Sequence, residues 1–234
     1  MARLLIIAGA SAIGAATASQ LRGAGHTVVV TARDHARIQP DAVVDATDFA
    51  AVDAVFQQFG PFDGAVNCAG SLLLRAAHQT SKDQYDDVIA ASLTTAFATV
   101  RAAGRHMMAG GSVVLVSSAA ALEGLANHEA IAAAKAGIIG LTLSAAATYA
   151  GNNLRVNAVA PGLVASPLTA SLTASDAARK VSESMHALGR LGRPEDVARA
   201  IAFLLDPTND WITGQVLAVD GGLSRVRPKV RVAG

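Results

Sequence analysis

Apolar residues along the chain fall into two alternating patterns: short runs of strand length, and longer Ala-rich stretches in which apolar positions return every three to four residues. The short runs are continuously apolar, as in strands covered on both faces, so the alternation predicts βαβ units and a parallel sheet. Strands are expected at Arg3–Ala8, Thr27–Thr31, Ala42–Asp45, Gly64–Asn67, Ser112–Ser117, Arg155–Ala160 and Val216–Val219, and helices at about 13–24, 49–58, 81–108, 129–150 and 194–205. Seven strands in this rhythm predict an α/β fold, a doubly wound parallel sheet with helices on both faces, within one domain spanning 1–234. Residues 163–191 break the rhythm, being rich in Thr, Ser and Ala between Pro167 and the glycines at 189 and 192. An insertion of this kind after a strand is a candidate substrate lid. The basic segment 225–234 has no hydrophobic period and reads as a tail.

Composition narrows the partners. With 19 basic and 18 acidic side chains the net charge is +1, which leaves no electrostatic footprint for nucleic acid or an anionic membrane. A small-molecule substrate is the expected partner. One cysteine, Cys68, excludes an internal disulfide and a Cys-rich zinc site, and it fits a reducing, cytoplasmic compartment. The apolar stretch at Leu4–Ala8 is too short for a signal or span, and longer apolar runs carry Gly breaks and caps, so no membrane segment is expected. The six histidines lack ligand spacing, and no metal is assigned.

The first strand runs into Ala8-Gly9-Ala10-Ser11-Ala12-Ile13-Gly14 and then a helix. In that context a Gly-rich loop presents backbone N–H groups and a helix N-terminus to a pyrophosphate, as in a Rossmann-like site. Gly9 would permit the tight turn, Gly14 close helix–strand packing, Ser11 a hydroxyl to phosphate or ribose, and Ile13 belongs to the same loop. The second strand ends at Arg33, where a ribose with a free 2′-hydroxyl calls for an acid and a 2′-phosphate for a cation. Arg33 therefore points to NADP (NADPH), with NAD the second choice.

Together with Asp45-Ala46-Thr47-Asp48, Asn67-Cys68-Ala69-Gly70, Ser117-Ser118, Arg155 to Gly162, Thr213-Gly214-Gln215 and Val219-Asp220-Gly221-Gly222, this loop makes nearly the whole chain resemble the short-chain dehydrogenase/reductase family. The resemblance implies that Asp45 and the Ala46 backbone bind adenine, and that Asn67, Ala69 and Gly70 line the adenosine ribose and stabilise the central strand. It further implies that Pro161 and Gly162 face the nicotinamide, while Ser166 holds the carboxamide or diphosphate. The loop departs from the family pattern by being one residue shorter, with Ala12 in place of the middle Gly.

The same resemblance implies a catalytic set in which Tyr protonates the substrate oxygen, Lys four residues on binds the nicotinamide ribose and lowers the Tyr pKa, and Ser holds the carbonyl. Here Ser118 and Lys135 stand at the matching positions, but the Tyr position holds Ile131, which has no proton to give. The family's Asn, at a kink in the long helix, maps to Ser92. Tyr85 and Tyr149 read as packing residues. His128, on the same helical stripe as 131 and 135, is the candidate replacement acid, its ordinary pKa of about 6.5 suiting work near neutrality; the competing reading is that it merely opens the helix with Glu129.

Three functions stay open. One is an NADP-dependent oxidoreductase that reduces a carbonyl or activated C=C or C=N bond with a proton from His128, solvent or substrate. The second is a non-redox lyase, isomerase or dehydratase using Ser118, His128 and Lys135. The third is a catalytically silent NADP-binding subunit. The resemblance also implies a homo-oligomer, a dimer or tetramer, built on helices 81–108 and 129–150.

Overall fold

A computed structural model of the chain describes residues 1–228. Seven parallel strands form one sheet: β1 (Arg3–Ile7), β2 (Thr27–Ala32), β3 (Ala42–Val43), β4 (Gly64–Asn67), β5 (Gly111–Val116), β6 (Leu154–Pro161) and β7 (Val216–Val219), in spatial order β3-β2-β1-β4-β5-β6-β7. The order reverses between β1 and β4, the point at which a doubly wound sheet opens a crevice at its strand C-termini.

Within β1 the two-residue period of a strand sorts the side chains between two cores. Leu5 and Ile7 join Phe56, Ala98, Leu115 and Ile138 on one face, whereas Leu4 and Ile6 join Leu21, Val66, Val197 and Ile201 on the other. The first face carries α2 (Phe49–Phe59), α4 (Thr95–His106) and α5 (Glu129–Tyr149), and the second carries α1 (Ala12–Gly23) and α7 (Pro194–Leu205). Leu5, Ile6, Val66, Val113 and Val114 are fully buried, the expected outcome for continuous apolar runs covered on both faces.

Two sequence expectations need correction, and two further segments gain detail. The expected strand 42–45 keeps only Ala42–Val43, because Asp45 leaves the ladder to accept hydrogen bonds from Thr47. The expected helix 81–108 is divided into α3 (Lys82–Ile89) and α4 by a π-helical turn, Ala90–Thr94, with Ser92 at its centre. The segment 163–191 holds a 3-10 turn, Pro167–Thr173, and a helix, α6 (Asp176–Ser184), which Ser175 caps. In the expected tail, Arg227 pairs with Glu123 at 2.8 Å, and residues 229–234 lie outside the described residues.

Continued through Asn152, α5 is long and apolar enough to cross a membrane by length and composition. Here it packs on β5, β6, α3 and α4 and buries Lys135. The fold thus supplies a protein surface for the apolar stripe of α5.

Candidate active site

Loops after β1, β2, β3, β4, β5 and β6 wall one cavity of about 1470 Å³ at the C-terminal edge of the sheet, and the 163–191 segment closes its far side. Its lining includes Ser11, Ile13, Arg33, Asp45, Ala46, Ala69, Gly70, Ser118, His128, Ile131, Lys135, Pro161, Gly162 and Ser166. The sheet therefore brings together residues far apart in sequence, Ser11 and Ser166 being separated by 155 positions.

Three expected site residues stand behind this lining. Asn67 is buried with its amide donating to Thr99 Oγ1 at 2.8 Å and its carbonyl oxygen accepting from Ala69 N–H at 2.8 Å. It shapes the loop without reaching the cavity. Gly9 is needed for close approach, since a Cβ there would lie 2.2 Å from Val30 Cγ1. The left-handed residue of the turn is Ala8, with φ of 59°, which sequence inspection does not reveal. A Cβ at Gly14 would lie 2.7 Å from the Ala8 carbonyl oxygen and 2.8 Å from Gly9 Cα, so the loop sits directly on α1.

The end of the cavity walled by the β1–α1 and β2–β3 loops is electrostatically defined. Ser11 caps α1 by accepting from Gly14 N–H at 3.1 Å, leaving the helix N-terminus facing the cavity. Arg33 is joined on the lining by Arg37, which sequence reading missed and which lies four residues further along the loop after β2. The Thr47 backbone and hydroxyl bonds, with Arg33 nearby, hold the Asp45 carboxyl below its ordinary range.

The centre of the cavity is buried and polar. Lys135 is 6% exposed, and its Nζ donates to the Val116 carbonyl at 2.8 Å. Burial pushes the Lys135 ammonium down to about 8, with Cys68 opposing, and burial pushes the Cys68 thiol up to about 12, with Lys135 opposing. Ser117, named in the sequence pattern but given no role there, donates its hydroxyl to the Lys135 carbonyl at 2.8 Å and ties α5 to the end of β5. Ser118 accepts from Ala120 N–H at 3.1 Å. Ser92 is fully buried, and its Oγ has no partner among the described residues.

Ile131 lies one turn before Lys135 and is 3% exposed among Leu73, Val88, Ile89, Ala130 and Ala134, at the cavity wall. Neither tyrosine reaches the cavity. Tyr149 lies over Gly104, where an added Cβ would come within 2.4 Å of its ring, and Tyr85 is 43% exposed on α3. His128 stands at the N-cap position of α5 without a capping bond, and its Nδ1 pairs with the Ala126 carbonyl at 2.7 Å. That bond leaves Nε2 as the remaining site for proton exchange.

The far side is built on Ser166, which faces Thr169 across a turn, and on His186, a residue that sequence reading left aside. His186 is 3% exposed, with Nδ1 on the Ser182 carbonyl at 2.8 Å and Nε2 accepting from Leu163 N–H at 3.1 Å. It thereby fastens the end of α6 to the backbone just past Gly162. The two ends of the segment close on each other through Ala165 N–H to the Gly192 carbonyl and Gly192 N–H to the Leu163 carbonyl, both 2.9 Å.

These features agree with what the chain is similar to. Residues 7–224 match a family model described as enoyl-(acyl carrier protein) reductase. A cis-4-hydroxycyclohexanecarboxylate dehydrogenase from Sinomonas cyclohexanicum is 41% identical over 96% of this chain and 97% of its own length. An inactive 2-(S)-hydroxypropyl-CoM dehydrogenase from Xanthobacter autotrophicus is 36% identical over 78% and 84%. Among solved structures, ElxO with NADP bound superposes with a TM-score of 0.87 at 28% identity, over 95% of this chain and 99% of that one. A tyrosine-to-phenylalanine variant of ElxO, holding NADPH, gives the same values. The chain belongs to the short-chain dehydrogenase/reductase family of oxidoreductases.

Proposed function

We propose that the chain is an NADP(H)-dependent reductase of a small-molecule carbonyl, or of an activated C=C or C=N bond, that works without the family's phenol. The observation that carries this reading is the pairing of Lys135 and Ser118 with Ile131 on one cavity wall. The cradle suits a phosphorylated dinucleotide: Gly9 and Gly14 leave no room for side chains, the α1 N-terminus faces the cavity, and Arg33 and Arg37 offer cations where a 2′-phosphate would lie. The tyrosine-to-phenylalanine variant of ElxO with NADPH bound supports nucleotide binding in a fold of this kind.

NADPH, when bound, would supply the hydride. Asp45, Ala46, Ser11 and Ile13 would hold its adenosine half, Ala69, Gly70 and Lys135 the central ribose region, and Pro161, Gly162 and Ser166 the nicotinamide. Ser118 Oγ positions the acceptor oxygen, and Ile131 keeps water off that wall. The proton added to the oxygen comes from His128 Nε2. A positioned acid is worth about 10²–10⁴-fold, so substrates with an electron-poor acceptor suffer least from a weaker donor.

A silent NADP-binding subunit is the second reading, favoured by burial of Ile131 in an apolar cluster and by a relative described as inactive. Titration with NADPH and NADH, followed by NADPH oxidation with an electron-poor ketone, separates the two. NADPH binding with turnover that falls tenfold or more in His128→Ala is expected. Tight binding with no turnover on any acceptor leaves the second reading standing, and failure to bind either nucleotide removes both. We place the protein in the cytoplasm and expect a homo-oligomer through α4 and α5, where Phe97 and Leu143 are 48% and 54% exposed.

A further inference from the structure

His186 and Gly162 stand between two cavities, the large one of the candidate site and a second of about 420 Å³ lined by Arg190, Asp196, Arg199 and the turn 220–222. On the large-cavity side α6 presents the stripe 178, 181, 182 and 185, yet it buries none of these residues, and Val181 and Met185 are 63% and 46% exposed. A helix with so few buried contacts depends on the hydrogen bonds at its end. Those bonds run through His186: Nδ1 meets the Ser182 carbonyl at 2.8 Å, and Nε2 meets the Leu163 N–H at 3.1 Å. A carbonyl only accepts and an N–H only donates, so both bonds form together only on the neutral ring with its proton on Nδ1. A second proton, on Nε2, sets N–H against N–H and leaves the Leu163 amide without that acceptor.

A protonated ring has another partner within reach. A Cβ built on Gly162 would lie 2.8 Å from His186 Nε2 and 3.1 Å from Asp220 Cβ, so ring and acid meet over the same glycine. Burial raises the Asp220 carboxyl, but bonds from Ser224 and Gly222, with His186 nearby, bring it below its ordinary range, and it stays an anion where histidines titrate. The other charged groups on the elements packed here are mostly engaged or exposed. Arg190 and Arg199 are paired with Asp196. On the turn past Asp220, Arg225 is exposed and Arg227 is paired with Glu123. On α6, Asp176, Arg179 and Lys180 are exposed and Glu183 is half-buried, while residues 160–163 at the end of β6 carry no charge.

We infer that His186 is a positioning residue that works as a pH-sensitive latch: its neutral ring fastens α6 to the end of β6, and its protonated ring leaves Leu163 for Asp220 and frees α6. The latched state holds the neutral ring, so latching is favoured as pH rises and lost as pH falls through the range in which histidines titrate, about pH 8 to 5. The consequence for substrate rests on the reductase reading: an unlatched α6 opens the far side of the cavity, while the loop from Gly9 to Gly14, held by other bonds, keeps its place.

Two measurements on the full chain test the latch. The first needs neither nucleotide nor turnover: long-range proton–nitrogen correlations of the imidazoles, and amide exchange corrected for intrinsic rate, are recorded from about pH 8 to 5.5. His186 is expected to show a bare Nε2 at the upper pH and to gain its second proton as protection across 163–191 falls about tenfold. In His186→Gln, which accepts from Leu163 N–H and does not titrate, protection should stay level with pH. Protection that ignores pH in the unaltered chain overturns the inference, as does an equal fall in His186→Gln, or a charged ring with 163–191 still protected. In the second, KM for ethyl pyruvate, an uncharged electron-poor ketone, is measured at saturating NADPH. It is expected to rise about tenfold over the same range, and by less than about twofold in His186→Gln. Equal KM slopes in the two proteins overturn the latch's role toward substrate. Should no turnover be seen while the first measurement holds, the reductase reading fails and the latch stands.

Discussion

The two ends of the cavity are made differently. At the nucleotide end, backbone emerging from buried strands is fixed by bonds such as Gly9 N–H to the Thr31 carbonyl at 2.8 Å, and an added Cβ at Gly9 or Gly14 has nowhere to go. At the lid end, α6 has no buried residue and is held through His186, the short bridge at Val164 and Gly192, and the turn at Leu188. A rigid half suits an invariant ligand, whereas a half with few buried contacts opens locally at low cost.

The largest expected effect breaks the rigid half. Gly14→Val forces the loop off α1 and is expected to weaken NADPH more than 100-fold while lowering stability by about 1–3 kcal/mol. Nucleotide titration and thermal unfolding check it, and retained affinity would show that the loop is pliant.

Ile131→Tyr sharpens the contrast at the border of the two halves. A phenol beside Lys135 is expected to raise ketone reduction by about 10²-fold, within the range for a positioned acid, at a cost of about 1–3 kcal/mol from crowding Leu73, Val88 and Ile89. A folded variant with unchanged turnover would show that the missing acid is not what limits the rate.

For the lid half, His186→Phe fills the space but deletes both hydrogen bonds. KM for a small ketone is expected to rise about tenfold, with NADPH affinity changed less than twofold and amide exchange faster across 163–191. His186→Gln, which can still accept from Leu163 N–H, should recover part of the loss. Equal weakening of nucleotide and substrate would mean that the halves are not separable.

The smallest effect is a pH dependence from Lys135. Its folded-state pKa of about 8 lies below its ordinary 10.5, so the unfolded chain binds more protons between these values and the Lys135 contribution to stability rises with pH. Cys68, raised from 9.0 to about 12, contributes in the opposite sense above pH 9. Denaturant melts should therefore gain about 1 kcal/mol between pH 8 and 9 from Lys135. Lys135→Met is expected to remove that gain, and an unchanged slope in the variant would assign the effect elsewhere.

Much of the end proposed for the nucleotide was legible as a set of loops on one cavity, because short, contiguous segments at strand ends carry it: Gly9 to Gly14, Arg33, Asp45-Ala46 and Ala69-Gly70. The lid end was less legible. The stripe 178, 181, 182, 185 was present in the sequence, yet among so many Ser, Thr and Ala residues its period is carried by only two large apolar side chains, Val181 and Met185. His186 carried no local signal, since its partners are main-chain groups. One of them, Leu163, is 23 residues away.

By itself the sequence determined the βα alternation, the glycine loop and the presence of Ile131 four residues before Lys135, because strand and helix periods and residue identity are local properties. Only the tertiary structure decided that Asn67 turns inward, that Ala8 takes the left-handed turn, that Ser92 is left buried without a partner and that His186 ties α6 to Leu163. Those outcomes depend on which distant surfaces the sheet brings within hydrogen-bonding or van der Waals distance, and that is set by packing around β1, β4 and β6.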